Sequence, residues 1–190
     1  MSGYSAAVPP DSTETKRRIL IAAQREFADF GLAGARIDRI AESARANKRS
    51  IYMHFGPKET LFDMIVSGVL AAMAEAVQFT PDDLTGYATR LFDYLQAEPD
   101  ALRLTAWANL ERPTATADEA DTYSRKVDAL SLRFGDHATD VLALILGLVT
   151  AWASASPALL STSKVKSDEI RRTMLAHAAA SLESTFAAPR

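Results

Sequence analysis

Between residues 12 and 58 the hydrophobic positions recur at helical spacing in three successive runs. Ile19, Ala22, Ala23, Phe27 and Phe30 share one stripe, and Gly31 offers a stop after it. Ile37, Ile40, Ala41 and Ala44 repeat at i, i+3, i+4, i+7, which predicts a second, shorter helix ending where Arg45 and Ala46 break the period. Asn47 then supplies a side-chain oxygen suited to capping the free amides of a third helix. In that helix Ile51 and Phe55 sit i, i+4 and pack inward, leaving Lys48, Arg49, Ser50, Tyr52 and His54 on the remaining surface.

Gly56-Pro57 punctuates the chain and opens a long helix over 58–79, with Leu61, Ile65, Val69, Met73 and Val77 at steps of four. Beyond Pro81 the breaks at Glu98-Pro99-Asp100, Arg112-Pro113-Thr114, Gly135-Asp136 and Ser156-Pro157 separate five further helices, near 84–97, 100–112, 117–134, 139–156 and 166–187. No stretch alternates as a strand does, so the predicted fold class is all-α. Residues 1–10, MSGYSAAVPP, read as a disordered tail without the charged start and apolar run of a secretion signal. Asp11 with Glu14 makes a weak capping box at the first helix.

Composition changes this picture little; the distribution of charge changes it more. The 190 residues are 48% hydrophobic and 24% charged, an ordinary globular balance. The absence of cysteine excludes disulfides, thiolate zinc sites and a cysteine nucleophile, and fits a reducing compartment. The net charge is −3, yet residues 12–58 hold ten Lys and Arg against five Asp and Glu, whereas the remainder holds eleven against nineteen. Such segregation suggests a nucleic-acid footprint at one end and a solubilising remainder.

Two short helices across a tight turn, the second basic and donor-rich, match the division of labour in a helix-turn-helix. There the first helix crosses the backbone and the second enters the major groove by its N-terminal residues. Lys48 and Arg49 stand at that end and suit guanine O6 and N7, while Ser50, Tyr52 and His54 suit phosphate oxygens. Lys58 at the start of the long helix is unfavourable beside the positive end of a helix dipole unless an anion lies near, and a phosphate would serve. The same pattern also fits an amphipathic hairpin in a helical core, its charges a solvated face. An enzyme has thin support. The histidines at 54, 137 and 177 are scattered, and no HExxH motif, paired-glutamate motif or phosphate-binding glycine loop is present. Asp136, His137 and Asp140 read as caps rather than as metal ligands, so neither a metal nor a cofactor is expected.

From Thr15 to Leu61 the chain reads TKRRILIAAQREFADFGLAGARIDRIAESARANKRSIYMHFGPKETL, which resembles without a gap the DNA-binding domain of the TetR/AcrR family of bacterial transcriptional regulators. The resemblance is carried by Thr15, Ile19, Leu20, Ala22-Ala23, Phe27, Gly31, Ile40-Ala41, Tyr52, Phe55 and Lys58-Glu59. Where that family commonly has Thr-Ser the chain has Ala35-Arg36, and arginine stands at 45 and 49 in place of glycine. Arg36 could replace the lost threonine as a phosphate contact but not as a cap, and Arg45 is strained if the turn requires positive φ.

The resemblance implies a helix-turn-helix DNA-binding domain over 11–57, joined by the long helix to an effector-binding and dimerisation domain over 58–190. DNA contacts are then expected from Arg36, Asn47, Lys48, Arg49, Ser50, Tyr52, His54 and Lys58. The 141–155 stretch is apolar almost all round yet short for a membrane span, and the final helix carries Ile170, Met174, Ala178, Leu182 and Phe186 on a stripe. Two such helices can meet the same pair from a second subunit through Leu144, Leu148, Trp152, Ile170, Met174, Ala178 and Leu182, or they can form a monomeric core. An effector pocket is implied among the central helices, with Met73, Phe92, Tyr94, Leu95, Trp107, Leu110 and Tyr123 as candidate walls. The expected protein is a cytoplasmic homodimeric regulator, most often a repressor in such families, which binds a palindromic duplex operator and a small, partly apolar effector. Its alternative is a helical module of the same fold without sequence-specific DNA binding.

Overall fold

In the computed structural model, residues 12–112, 114–164 and 167–187 are described, and the tail 1–10 and Asp11 lie outside them. Every regular element among these residues is helical. The order is α1 Ser12–Gly34, α2 Ile37–Ser43, α3 Lys48–Phe55, α4 Lys58–Ala76, α5 Leu84–Ala97, α6 Pro99–Glu111, α7 Ala117–Phe134, α8 Ala138–Ser154, α9 Pro157–Ser161 and α10 Asp168–Phe186, with a 3₁₀ turn at Gly135–His137 before α8. The chain forms two compact units. One comprises residues up to Gly68 with Arg103–Pro113, and the other Val69–Leu102 with everything from Thr114 onward. The chain therefore passes between units inside α4 and again inside α6.

The core of the first unit comes from the stripes the sequence predicts. Ile19, Ala22, Ala23 and Phe27 of α1, Ile37, Ile40 and Ala41 of α2, Ile51 and Phe55 of α3, and Leu61, Phe62 and Ile65 of α4 are all buried. The Phe27 and Phe62 rings meet edge to face at 5.1 Å. Phe30, predicted on the same stripe, is 47% exposed instead: it lies at the edge of the core beside the Gly31 break, with the Arg39 guanidinium over its ring at 4.2 Å. Gly31 interrupts α1 at φ 66, ψ −175, but helical backbone resumes and runs on to Gly34.

The second unit is built on α5, α7, α8 and α10. Leu84, Tyr87, Ala88, Leu91, Phe92 and Leu95 of α5 are buried, as are Val141, Leu142, Ile145 and Val149 of α8. On α10 the buried residues are Leu175 and Ala179, whereas Ile170, Met174 and Phe186 of the predicted stripe are 46%, 58% and 39% exposed. Both faces of α10 are apolar, and packing selects one. The tie between helices distant in sequence is Glu183. Its carboxylate accepts from Leu84 N–H at 3.0 Å, Thr85 N–H at 3.1 Å, the Thr85 hydroxyl at 2.5 Å and Arg133 Nη1 at 2.8 Å. It thus caps the start of α5 from α10 and binds α7 as well. Burial pushes this carboxyl up, but the hydrogen bonds from Thr85, Leu84 and Arg133 outweigh it and hold the group below its ordinary value. Over 117–154 the chain is, by length and composition, long and apolar enough to cross a membrane. Gly135, at φ 53, breaks that run, and α8 alone has 17 residues against the roughly 20 that a span needs.

Candidate nucleic-acid interface

Helix α3 is set up locally. The Asn47 side-chain oxygen accepts from Arg49 N–H at 2.8 Å, the cap read from the sequence. Arg45 in the preceding turn adopts φ 49, the left-handed conformation that glycine takes without cost. The inward pair Ile51 and Phe55 is buried. Lys48, Arg49 and Tyr52 face solvent, and Ser50 and His54 are half-buried. Met53, at 69% exposure, joins this surface, and the sequence pattern does not mark it because its side chain donates no hydrogen bond. Its apolar thioether suits contact with a thymine methyl.

Helix α2 has a cap its own sequence does not supply. Arg36 makes no side-chain cap. The Glu26 carboxylate of α1, 8% exposed, accepts instead from Arg36 N–H at 2.8 Å and from Arg39 Nε at 2.7 Å. A buried carboxylate at the N-terminus of α2 stabilises the helix dipole and spares the Arg36 side chain, which is exposed. No signal within α2 could reveal this, since the partner lies ten residues upstream on another helix.

Two of the expected DNA contacts share one acidic partner. The Lys48 ammonium binds the Asp38 carboxylate, and Arg36 Nη2 lies 3.7 Å from the same group. The Lys48 hydrogen bond, with the positive charges of Lys48 and Arg36, holds the Asp38 carboxyl below the ordinary range against a smaller opposing effect of burial. The pair is solvent-exposed, so exchanging Asp38 for a phosphate or a base edge costs little. Lys58 is half-buried and donates to Ala35 O at 3.1 Å, satisfying a carbonyl just past the end of α1.

The C-terminal half of α6 grips α1 at its break. Trp107 Nε1 donates to Ala28 O at 3.2 Å, and the Glu111 carboxylate accepts from the N–H groups of Leu32 and, at 3.3 Å, Ala33. Arg103 pairs with Asp29 at 3.0 Å. A Cβ on Gly31 would lie 2.8 Å from the Trp107 ring, so this glycine answers both to its positive φ and to the indole against it.

Of the expected effector-pocket residues, Trp107 and Leu110 of α6 belong to this first unit, Trp107 bonded to Ala28 of α1 and Leu110 77% exposed. In the second unit Phe92 and Leu95 are buried, Met73 and Tyr94 are half-buried, and Tyr123 is 41% exposed. The Phe92 ring meets Trp152 edge to face at 5.8 Å. The expected interface positions lie on the outward faces of α8 and α10. Leu144 is 51% exposed, Ile170 and Met174 are exposed as given above, and Leu148, Trp152, Ala178 and Leu182 are half-buried. An open groove of about 580 Å³ runs between α8, α9 and α10, lined by Trp152, Leu159, Leu160, Ile170 and Met174 among others. Helix α9, with Pro157 at its first turn and Leu159 64% exposed, occupies what the sequence read as a break.

A capped short helix that projects lysine, arginine and tyrosine beside a second helix across a tight turn defines a helix-turn-helix, the arrangement that places a helix in the major groove of DNA. Comparison with known proteins gives the family. Residues 19–65 match the model of the bacterial regulatory proteins of the tetR family, and residues 83–180 match the tetracyclin repressor-like C-terminal domain. The chain belongs to the TetR family. It is 45% identical over 124 residues to the HTH-type transcriptional repressor SCO4008 of Streptomyces coelicolor, covering 63% of this chain and 65% of that one. It is 31% identical over 105 residues to the repressor NicS of Pseudomonas putida, covering 52% and 50%. The matched region thus spans between half and two thirds of these relatives. The crystal structure of SCO4942 from Streptomyces coelicolor, assigned as a transcriptional regulator, superimposes with a TM-score of 0.78 at 36% identity, covering 88% of this chain and 97% of that one.

Proposed function

We propose that the protein is a cytoplasmic, homodimeric, ligand-responsive repressor that holds a palindromic operator and releases it when a small, partly apolar effector binds. The observation that carries this reading is the surface of α3. Asn47 caps it, only Ile51 and Phe55 are buried, and Lys48, Arg49 and Tyr52 are left outward. In this reading Lys48 and Arg49 read base edges, and Arg36, Asn47, Ser50, Tyr52, His54 and Lys58 hold phosphates and fix register. Dimerisation is supported by the apolar outward faces of α8 and α10, where Leu144, Ile170 and Met174 are exposed together. A two-fold dimer would set two copies of α3 roughly 34–36 Å apart, one helical turn of DNA. The domain division proposed is a reading head over 11–57 and an effector and dimerisation domain over 58–190, tied by α4. The effector would act through its preference for one of two arrangements of these parts.

The test is selection of random duplex DNA by the purified protein, with sequencing of the retained fraction. A palindromic motif with half-sites one turn apart is expected. The absence of any enrichment at low salt, from protein shown to be folded and dimeric, would leave a helical module of the same fold without sequence-specific DNA binding.

A further inference from the structure

The second unit holds a lysine that, among the described residues, is set against aromatic rings and a phenol rather than a carboxylate. Lys126 on α7 is half-buried, and its ammonium lies 5.5 Å from the ring centroids of Phe79 and Tyr87 and 5.9 Å from that of Tyr123. Phe79 precedes α5, Tyr87 lies on α5 and Tyr123 lies one turn before the lysine, so three segments of the chain converge on one cation. Phe79 and Tyr87 stand edge to face at 5.0 Å and fix two walls of this box. The ammonium donates to the Tyr87 hydroxyl at 3.2 Å, and among the described residues no carboxylate pairs with it. Arg133 of the same helix, also partly buried, does have such a partner in Glu183.

Tyr87 does not supply the missing charge. Burial, with a smaller contribution from Tyr123, pushes its phenol up to about 12, so it stays a neutral hydroxyl. Its oxygen accepts from Lys126, and its own proton has no acceptor among the described residues. Burial alone holds the Lys126 ammonium below its ordinary value. Two ammonium hydrogens and one phenolic hydrogen are therefore gathered within a single hydrogen-bond length, with aromatic faces round them and no protein acceptor among the described residues. The 41% exposure of Tyr123 leaves the box reachable from solvent. A desolvated cation flanked by free donors and ring faces is complementary to an oxyanion carried on an apolar or aromatic body.

We infer that Lys126 and Tyr87 form the recognition point for the carboxylate of the effector, with Phe79 and Tyr123 flanking its apolar body. This deepens the reading of the protein as ligand-responsive and rests on it. It narrows the effector from a small, partly apolar molecule to an organic acid.

The experiment uses the full chain and benzoate as the probe, with benzamide and benzylamine as neutral and cationic counterparts of the same size. Binding is followed by thermal denaturation and by the side-chain NMR signal of Lys126, assigned by its loss in Lys126→Met. Benzoate is expected to raise the denaturation midpoint and to move the Lys126 signal saturably. Benzamide should bind at least about tenfold more weakly, the loss expected of one charge-assisted hydrogen bond. Lys126→Met, which keeps a similar apolar stem, should bind benzoate and benzamide alike, and Tyr87→Phe should fall between. No response to benzoate at millimolar concentration, equal or tighter binding of benzamide or benzylamine, or undiminished benzoate binding by a folded Lys126→Met would each overturn the inference. These readouts need no DNA. A failed operator selection with a positive benzoate titration would remove the repressor reading and leave the anion site, and the reverse outcome would remove the anion site alone.

Discussion

Replacing Glu183 by alanine tests how the second unit is held together. The carboxylate is the acceptor for four donors from α7 and the start of α5, and its side chain is 12% exposed. A net hydrogen bond to a charged group is worth about 1.5–3 kcal/mol, but four at one site share a single desolvation and do not add. Breaking a fully buried ion pair costs about 3–5 kcal/mol. Arg133 is 31% exposed, so water can recover part of its charge. The expected loss is therefore about 2–4 kcal/mol, most of it from the uncapped amides of Leu84 and Thr85 and the stranded Arg133. The sign with pH follows from the depressed carboxyl. A group held below its unfolded value contributes stability that is complete above the ordinary glutamate range and is lost as pH falls through the folded value. The variant should thus lose less stability than the parent on acidification. The assay is urea unfolding at neutral and acidic pH in a Trp107→Phe background. The chain has two tryptophans, one in each compact unit, and Trp152 then reports the second unit alone. A loss below about 1 kcal/mol at neutral pH, or parallel acid profiles for parent and variant, would refute the reasoning.

Three further outcomes follow from the geometry. Lys48→Ala or Arg49→Ala should cost about 1–3 kcal/mol on the selected operator and little elsewhere. Lys58→Ala should weaken all duplexes alike and lower the salt slope by about one, and identical behaviour of the three in salt-dependent titrations would defeat that division. Gly31→Ala should destabilise the first unit by about 2–4 kcal/mol, since strain at positive φ and the Trp107 contact act together; a change within about 1 kcal/mol by chemical denaturation would show the contact to be slack. Met174→Glu, which places a charge in the outward face of α10, should yield monomers in sedimentation velocity while α-helical circular dichroism is retained. An undiminished dimer would move the interface elsewhere.

The parts of the fold legible in the sequence are those whose causes are local. Asn47 caps α3 by reaching two residues ahead, and Gly135 ends α7 at the break where its positive φ is needed, so each announces itself in its own neighbourhood. The buried sets of α1, α2 and α3 follow from periodicity because each of these helices has one apolar face. Where a helix has two, the pattern is silent. On α10 the stripe through Ile170 and Met174 is as regular as the one through Leu175 and Ala179, and only contact with α5 and α8 decides which is inside. Phe30 differs for a related reason: spacing gives a side chain's direction from the helix axis and says nothing of where the core ends, here beside the Gly31 break.

The sequence by itself determined the helical class, the order of the long helices and the basic character of the second helix of the helix-turn-helix, but not the short α9 or the exposure of Met53. Tertiary structure alone decided what holds those helices in place and where a charge meets rings rather than an acid. Glu26 caps α2 from ten residues away, Glu111 grips the α1 break from 78 and 79 residues away, and Glu183 caps α5 from 98 and 99 away. Lys126 sits among aromatic rings because Phe79, Tyr87 and Tyr123 close round it, while among the described residues no acid does. The physical reason is common to all four. A carboxylate or an ammonium can satisfy, or be left by, any group within about 3 Å. The chain brings such groups together by packing apolar faces whose pairing no local pattern encodes.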